Sequence, residues 1–359
     1  MMLVQRFKDF DWAIILGVAV LATASLVSLA STNIDFFWRQ LSWFVLAIPI
    51  IFLGSRINWR LLISQNWFRL GIYFLSLVLL LISNFQSGTI RGTKAWISFG
   101  GFNFEPSELA KLALIFVLAN FFSRRYLRAW LGKNILVSFI YSFLPVLLVA
   151  IQPDLGSAIV IMSIWIGFLM LSSVNYKRFF IGLILVIIFL SLLWSFYLKP
   201  YQKERLIGFF SPTTDPLGVN YNVIQSKIAI GSAGFFGKGF KEGTQAQLHF
   251  LPEAQTDFLF AAFVEEWGIL GGVVVLLSFL TIIFRIVGIG LRARTNDFKF
   301  LALGAGIVFI IHFSINIGSN LGILPVAGLP FPFLSYGGSN LLTAATLIGI
   351  IQYIKIESR

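Results

Sequence analysis

Acidic and basic side chains stand at the start of long apolar runs in this chain, where they could carry proton transfer. Glu108 and Lys111 follow Pro106 at the head of one such run. Because they lie three residues apart, they share one face of a helix and can pair with each other or with groups on a second helix. One interpretation is an internal salt bridge that fixes the helix. The other places Lys111 in a cavity, where its charge keeps a catalytic carboxylate ionised.

A second acidic segment, residues 251–258, leads into the longest apolar run. Thr256 and Asp257 near its end have two interpretations: a helix N-cap, for which Thr and Asp are common, or polar groups that face a cavity. Glu265 and Glu266 follow two turns later, too deep in the run for capping to explain them. At about 100° per residue, Glu265 points about 80° from Asp257 and Glu266 about 180° away, so we expect Glu265 to share the polar surface of Asp257.

Residues 324–340 hold three prolines and three glycines, which rule out regular helix at what would be membrane depth. Irregular backbone is tolerated there only where it is buried in protein or lines a polar cavity. The alternative is that these prolines and glycines belong to an ordinary loop. Ser335, Tyr336 and Asn340 favour the lining, because they supply hydroxyl and amide groups.

The elements that must position these groups are membrane helices. The hydrophobic fraction is 58%, the mean hydropathy is +0.88 and only 12% of residues are charged, which is unlike a soluble domain. Apolar runs long enough to span a bilayer lie near 11–30, 38–54, 68–84, 107–122, 135–151, 155–174, 179–198, 257–284, 299–319 and 338–354. We therefore expect an all-α integral membrane protein of about ten transmembrane helices. The lack of cysteine excludes thiolate chemistry and disulfides, and two histidines are too few for a His-rich metal centre.

The basic residues predict the orientation of these helices. If the N-terminus is cytoplasmic, the cytoplasmic segments hold 17 Lys and Arg residues and the short outer segments hold three, Arg39, Arg91 and Lys94. Such an excess predicts that both termini are cytoplasmic, and it accounts for the net charge of +12 without nucleic acid as a partner. The long segment 199–256, between the seventh and eighth spans, is then extracytoplasmic. No domain boundary or repeat is visible, so we treat residues 1–359 as a single polytopic membrane domain.

Several of these segments together resemble the SEDS family of RodA, FtsW and SpoVE. The matching stretches run in the family's order, with the family's long outer loop among them: Glu105 to Lys111, Gln152 to Ser157, Tyr221 to Gly239, Phe250 to Phe260, Glu265-Glu266 with Gly268, and Leu324 to Gly338. Residues 324–333 are most similar to the RodA branch, which serves cell elongation, rather than to FtsW, which serves cell division. The chain departs from the family's usual residues at Gln255, at Asn340 and at Glu105, where the glutamate adds a negative charge beside Glu108.

The resemblance implies a peptidoglycan glycosyltransferase of the bacterial cytoplasmic (inner) membrane. Such an enzyme polymerises lipid II into glycan strands for cell wall biogenesis and cell shape, and it works with a class B penicillin-binding protein, a transpeptidase. The family's essential aspartate corresponds to Asp257, and its glutamate and lysine of the fourth span correspond to Glu108 and Lys111. We take these three as the catalytic residues, with Asp257 as the general base for the acceptor hydroxyl.

The rest of the site is expected in the outer segments. Arg205, Lys227 and Lys238 are candidates to bind the pyrophosphate of the donor, with room for a divalent cation, Mg²⁺ or Mn²⁺, and we expect no organic cofactor. Further substrate-binding candidates are Gln225, Ser226, Glu253, Thr256, Glu265, Ser335 and Tyr336. Two alternatives stay open. One is a lipid II flippase or transporter, because helices with internal charges and broken segments also describe secondary transporters; the other is a noncatalytic scaffold for the partner.

Overall fold

The computed structural model describes residues 9–85, 94–99, 102–172, 209, 218 and 220–358, and the description below concerns those residues. The helices there are α1 (Trp12–Thr32), α2 (Ile34–Gly54), α3 (Trp59–Ser64), α4 (Asn66–Phe85), α5 (Pro106–Arg125), α6 (Gly132–Ile151), α7 (Leu155–Leu171), α8 (Tyr221–Ser232), α9 (Thr244–Gln247), α10 (Leu259–Leu291), α11 (Asn296–Asn320) and α12 (Gly338–Glu357). A 3₁₀ turn (Tyr126–Arg128) follows α5. Two strands, β1 (Ile97–Phe99) and β2 (Phe102–Phe104), come directly before α5.

The apolar helices confirm an all-α, multi-pass membrane protein. Eight of them, α1, α2, α4, α5, α6, α10, α11 and α12, are long and apolar enough to cross a bilayer, and the apolar α7 is shorter, with 17 residues. These nine helices fall on nine of the spans expected from the sequence, because a membrane helix needs about 20 apolar residues and run length alone predicts it well. The remaining expected span, 179–198, lies outside the described residues, as does most of 199–219.

A short antiparallel hairpin departs from the all-α expectation. β1 pairs with β2 in a register that joins Ile97 to Phe104 and Ser98 to Asn103. The Ser98 hydroxyl donates a hydrogen bond of 2.7 Å to Asn103 Oδ1. Apolar and polar residues alternate along both strands, which is the period of a half-buried strand. The hairpin leads into Pro106 at the beginning of α5, a position where proline is favoured.

Helix α5 runs through the centre of the bundle. Every residue from Ala110 to Phe122 is buried, and α5 packs against α4, α7 and α11. A helix that is apolar on all sides needs such a position. The helices α2 and α4 instead expose large apolar side chains, among them Trp38, Trp67 and Phe74, as expected of a surface that faces lipid.

Several helices meet at one end of the bundle, which we call the site end. The helices α5, α7, α10 and α12 begin there and α11 ends there. Hydrogen bonds join these termini: Glu105 N to Ser339 Oγ at 3.1 Å, Ser107 Oγ to Ser157 Oγ at 3.1 Å, and Ala261 N to Asn320 Oδ1 at 3.2 Å. At the opposite end, the buried carboxylate of Asp11 binds the guanidinium of Arg285.

Helix α10 is broken in its first third. Gly268 has φ 73° and ψ 179°, a conformation that is essentially restricted to glycine. At this break the backbone of residues 234–239 meets that of residues 265–270, and we call this contact the backbone crossing. Four backbone hydrogen bonds of 3.0 to 3.2 Å hold it: Lys238 N to Glu265 O, Gly239 N to Glu266 O, Ile269 N to Gly234 O, and Leu270 N to Phe235 O. The span expected at 257–284 therefore consists of two helical pieces, the first of which begins at Leu259.

Candidate active site

Glu108 and Lys111 form a buried ion pair in the first turns of α5. Lys111 Nζ lies 2.7 Å from Glu108 Oε1, and the two side chains are 1% and 2% exposed. Asn340 at the start of α12 donates a hydrogen bond of 3.1 Å to the same oxygen. Glu108 Oε2 is also buried and accepts no hydrogen bond from the described residues. The pairing expected from the three-residue spacing is confirmed, and burial gives it a desolvation cost that a surface ion pair does not have.

His312, Asn316 and Asn320 form what we call the polar face of α11. They follow one another at four-residue intervals and therefore lie along one side of the helix. His312 contacts the ion pair, because its Nε2 lies 3.3 Å from Lys111 Nζ. Its Nδ1 lies 3.2 Å from the carbonyl oxygen of Pro330. Since His312 is fully buried, both ring nitrogens have protein partners in place of water.

The other two members of the polar face of α11 hold the backbone at Asp257. Asn316 Nδ2 donates to the carbonyl oxygen of Asp257 at 3.0 Å and to that of Leu329 at 2.9 Å. Asn320 Nδ2 donates to the Asp257 carbonyl at 2.9 Å. The polar face of α11 thus joins Asp257, residues 329 and 330, and the ion pair at Lys111 into one hydrogen-bonded arrangement.

Asp257 precedes α10 and does not cap it. Residues 251–258 form turns, and the N-cap of α10 is Phe258, with no side-chain capping bond. The capping interpretation of Thr256 and Asp257 is therefore wrong, and Thr256 instead donates a hydrogen bond of 2.7 Å to Glu253 Oε2. Asp257 is half-buried. Its carboxylate borders the segment 324–337, because a methyl group at Gly328 would lie 3.9 Å from Asp257 Oδ2.

Glu105 is a second acidic group at the start of α5. Its Oε1 accepts hydrogen bonds from Ser107 Oγ at 2.5 Å and from Ser157 Oγ at 3.2 Å. Burial raises the pKa of Glu105 to about 7, and the negative charges of Glu108 and Asp154 act in the same direction. Glu105 is therefore a carboxyl group that changes charge near neutral pH.

The segment 324–337 is irregular throughout, as its prolines and glycines predict. Ser335 is buried, its hydroxyl accepts a hydrogen bond from Phe331 N at 3.0 Å, and its carbonyl oxygen accepts one from Gln40 Nε2 at 3.4 Å. The half-buried ring of Tyr336 packs edge-on against Phe36 with 4.6 Å between centroids. These contacts stabilise the segment, and substrate binding by Ser335 and Tyr336 stays a prediction.

Helix α8 presents three neighbouring candidates in different ways. Ser226 is buried, and its hydroxyl donates a hydrogen bond of 2.8 Å to the carbonyl oxygen of Asn320. Gln225 is half-buried, whereas Lys227 is exposed. The stem of Lys227 lies against Gly322, where a methyl group would be 2.2 Å from Lys227 Cε. Of the three, Lys227 offers a charged group that a ligand can reach.

Lys238 and Glu265 form an ion pair beside the backbone crossing. Lys238 Nζ lies 2.6 Å from Glu265 Oε1. The buried carboxylate of Glu265 also accepts hydrogen bonds of 3.1 Å from Thr244 Oγ1 and from Gln245 N, so it ties α10 to α9. The expectation that Glu265 shares the surface of Asp257 assumed that both lie on one helix. Because Asp257 precedes α10, the angle between them does not apply, and substrate binding by Glu265 stays a prediction.

The remaining expectations concern the charge of a pyrophosphate group. Arg205 lies outside the described residues. Among the residues that the structure describes, no group of three or more His, Asp or Glu side chains could hold a metal ion. The described side chains alone do not form a metal site, and the expected Mg²⁺ or Mn²⁺ stays a prediction.

The arrangement at the site end suits proton transfer from a bound hydroxyl. Asp257 is a carboxylate that is only half-buried, and its backbone is fixed by two asparagine side chains. Such a group can accept a proton from a substrate hydroxyl that binds next to it. The ammonium of Lys111 adds a fixed positive charge that is connected to Asp257 through the polar face of α11. The geometry therefore supports general-base catalysis.

The expected site residues do not include the polar face of α11, although the sequence carries a signal for it. Three polar residues at four-residue spacing in an apolar run lie on one helix side, and a polar group within a span needs a partner or a cavity. The spacing of polar residues inside spans thus identifies groups that motifs at helix ends do not.

The chain is similar to known proteins over nearly its whole length. The sequence model of the FtsW, RodA and SpoVE family, described as cell cycle proteins, matches residues 7–359. The chain is 35% identical over 341 residues to the peptidoglycan glycosyltransferase MrdB of Escherichia coli strain K12, which covers 95% of this chain and 91% of that protein. It is 37% identical over 307 residues to the stage V sporulation protein E of Bacillus subtilis strain 168, covering 82% and 80% of the two chains.

Two solved structures have a similar fold. One comes from work on the structural coordination of polymerization and crosslinking by a peptidoglycan synthase complex; it superposes with a TM-score of 0.82 at 28% identity, covering 97% of this chain and 98% of that chain. The other is the rod shape determining protein RodA of Thermus thermophilus, with a TM-score of 0.69 at 25% identity, covering 97% and 96%. The multi-pass helical architecture is shared with both.

Proposed function

Because the chain belongs to the FtsW, RodA and SpoVE family of cell cycle proteins, we propose that it is a peptidoglycan glycosyltransferase. Its substrate is lipid II, its product is a growing glycan strand, and its role is cell wall synthesis during elongation, as in the RodA branch. The observation that carries the proposal is the position of Asp257, a half-buried carboxylate at the site end, fixed at its backbone by Asn316 and Asn320. MrdB, whose name states this activity, supports it as a relative.

In the proposed reaction Asp257 is the general base. It accepts the proton of the 4-hydroxyl of the acceptor sugar as that oxygen attacks the anomeric carbon of the donor. The new carbon–oxygen bond forms while the bond to the lipid pyrophosphate breaks, the pyrophosphate leaves with the electron pair, and the anomeric configuration is inverted. Lys111, held in place by its pairing with Glu108, is proposed as the positively charged group of the site.

The departing pyrophosphate needs positive charge as well. Among the described candidates, Lys227 is exposed, and its ammonium is available to an anionic group. Lys238 is 25% exposed but bound to Glu265, so it serves the donor only by exchanging that partner. Lys227 is therefore the better candidate of the two, and Arg205 is proposed from the sequence alone.

The site end is proposed to face the extracytoplasmic side of the bacterial inner membrane, with both termini in the cytoplasm. The support is the 17 Lys and Arg residues in the cytoplasmic segments against three in the short outer segments. We further propose a class B penicillin-binding protein as the partner that crosslinks the product. The similar chain from a peptidoglycan synthase complex that couples polymerization to crosslinking supports such a partnership.

The test replaces the proposed base by an isosteric amide. Asp257→Asn keeps the shape of the side chain but cannot take a proton, so glycan synthesis should fall by roughly 100-fold or more. The assay uses the purified full chain, lipid II and a partner penicillin-binding protein without glycosyltransferase activity of its own, and it measures glycan polymer on a gel. Binding of lipid II should survive, because the hydrogen-bonding groups of the backbone are unchanged.

Asp35→Asn is the matched control for this substitution. Asp35 lies in the first turn of α2 and is exposed, next to Phe36, which packs on Tyr336 at the site end. The Asp35→Asn substitution removes one carboxylate from the same end of the bundle and should leave glycan synthesis unchanged. Near wild-type synthesis by Asp257→Asn would contradict the catalytic assignment. Transport of lipid II without polymer would favour the flippase, and activity that depends only on the partner would favour the scaffold.

A further inference from the structure

The ring of His312 joins parts of the site that belong to different elements. Its Nε2 lies 3.3 Å from Lys111 Nζ in α5, and its Nδ1 lies 3.2 Å from the carbonyl oxygen of Pro330 in the segment 324–337. The residue itself is fully buried in α11. His312 therefore connects α5 and α11 to the segment that borders Asp257.

These two contacts fix the protonation state of the ring. A carbonyl oxygen can only accept a hydrogen bond, so Nδ1 carries the proton and donates it to Pro330. A lysine ammonium can only donate, so Nε2 accepts from Lys111 and carries no proton. The neutral ring with its proton on Nδ1 satisfies both contacts, and the two partners together define the orientation of the ring.

Lys111 needs the acceptor that His312 provides. An ammonium has three donors, and the described acceptors of Lys111 are Glu108 Oε1 and His312 Nε2. Its four-carbon stem is flexible, so a single carboxylate oxygen would leave the position of the charge poorly defined. The rigid imidazole restricts that position, because the ring is itself held at Pro330.

We propose that His312 is a positioning residue, which holds the Lys111 ammonium in place and sets its position relative to the segment 324–337 and hence to Asp257. The connection to Asp257 continues through Asn316. Its side chain donates hydrogen bonds to the carbonyl oxygen of Asp257 and to that of Leu329, which lies in the segment 324–337. The inference rests on the proposed function, because its consequence is a slower transfer step.

Two substitutions at this position separate the hydrogen bonds from the volume of the ring. His312→Gln can accept from Lys111 with its amide oxygen and donate to Pro330 with its amide nitrogen, whereas His312→Leu can do neither. For the Leu variant, kcat should fall by about 10- to 100-fold, as expected for one lost hydrogen bond to a charged group, with KM little changed. The Gln variant should stay within about threefold of wild type. The assay is glycan synthesis from lipid II by the purified full chain with its partner.

Gln352→Leu is the matched control. Gln352 is fully buried in α12 and exchanges two hydrogen bonds, of 2.8 and 3.2 Å, with the backbone of Asp11 at the opposite end of the bundle. It lies about 18 Å along the helix from Asn340, which contacts the ion pair. Both Leu variants remove a buried polar group, so both should lower the midpoint of thermal unfolding. Only the His312 variant should lose kcat.

Equal losses of kcat in the two Leu variants, or a Gln variant as slow as the Leu variant, would overturn the inference. Wild-type kcat in His312→Leu alongside an inactive Asp257→Asn would overturn it too, and would leave the proposed function standing. A wild-type chain that makes no glycan would instead refute the proposed function. Should His312→Leu not fold, His312→Asn replaces it, because an amide one carbon shorter than that of Gln cannot reach both partners. The kcat of His312→Asn should then fall by the same factor, about 10- to 100-fold, and a wild-type kcat would overturn the inference.

Discussion

The backbone crossing offers the sharpest prediction for a substitution away from the candidate catalytic groups. Gly268 has a positive φ, and a methyl group there would lie 2.3 Å from the carbonyl oxygen of Phe235 and 2.4 Å from Gly237 N. These are backbone atoms, which cannot rotate away as a side chain can. Gly268→Ala must therefore open the crossing.

The cost of opening follows from the contacts that are lost. Four backbone hydrogen bonds hold the crossing, and at about 1 kcal/mol net each they contribute about 4 kcal/mol. The backbone conformation of Gly268, with its positive φ, costs a residue that has a Cβ about 1 to 3 kcal/mol more. Gly268→Ala should thus lower the free energy of unfolding by on the order of 5 kcal/mol. Because Asp257 lies just before the helical piece that the crossing holds, glycan synthesis should fall with it.

Thermal unfolding in detergent, followed by tryptophan fluorescence, measures this effect. Gly288→Ala is the control in the same helix, since a methyl group at Gly288 meets no atom within 4 Å and alanine is the better helix former. Its unfolding midpoint should equal or exceed that of wild type. Gly237→Ala should lower the unfolding midpoint about as much as Gly268→Ala does. The double variant should lower it by less than the sum of the two single losses, because the crossing can open only once. Equal midpoints for Gly268→Ala and Gly288→Ala, or additive losses, would refute the reasoning.

Three further predictions concern topology and charge. In a chain without cysteine, Glu242→Cys should react with a membrane-impermeant thiol reagent in intact cells and Arg292→Cys should not, and the reverse pattern would invert the topology. Lys111→Met should keep a folded protein, as judged by gel filtration, but lose most synthesis, because it leaves Glu108 without its cation; full activity at neutral pH would exclude Lys111 from the mechanism. Since the pKa of Glu105 is raised to about 7 by burial, its neutral form favours the fold and ionisation weakens it. The unfolding midpoint of wild type should therefore fall more than that of Glu105→Gln between about pH 5 and pH 7, and identical slopes would contradict the raised pKa.

The features that the sequence predicts well are those that depend on short stretches. Nine spans follow from the length of apolar runs, and the pair of Glu108 and Lys111 follows from a three-residue spacing on one helix. Residues 324–337 are irregular because proline interrupts a helix and glycine weakens it. In each case the physical cause lies within about 20 consecutive residues, so tertiary structure has little to add.

The features that the sequence does not predict depend on distant segments. The backbone crossing joins residues 234–239 to residues 265–270, and nothing local indicates that a glycine-rich run will bind the backbone of an apolar helix. The beginning of α10 differs by two residues from the expected span, and that difference places Asp257 outside the helix and removes the angular argument for Glu265. A small error at a helix boundary thus changes the predicted environment of the central candidate residue.

The two ends of the bundle use charge in different ways, and the difference bears on which end performs chemistry. At the opposite end, Arg285 is 47% exposed while it binds Asp11, so its charge keeps contact with polar surroundings. At the site end, Glu108 and Lys111 are both fully enclosed, and one oxygen of Glu108 has no hydrogen-bond donor among the described residues. Apolar side chains of similar volume often stabilise a protein as well as a buried ion pair does. Stability alone therefore does not account for the pair, which agrees with the proposed role of Lys111 as a charged group connected to Asp257 through the polar face of α11.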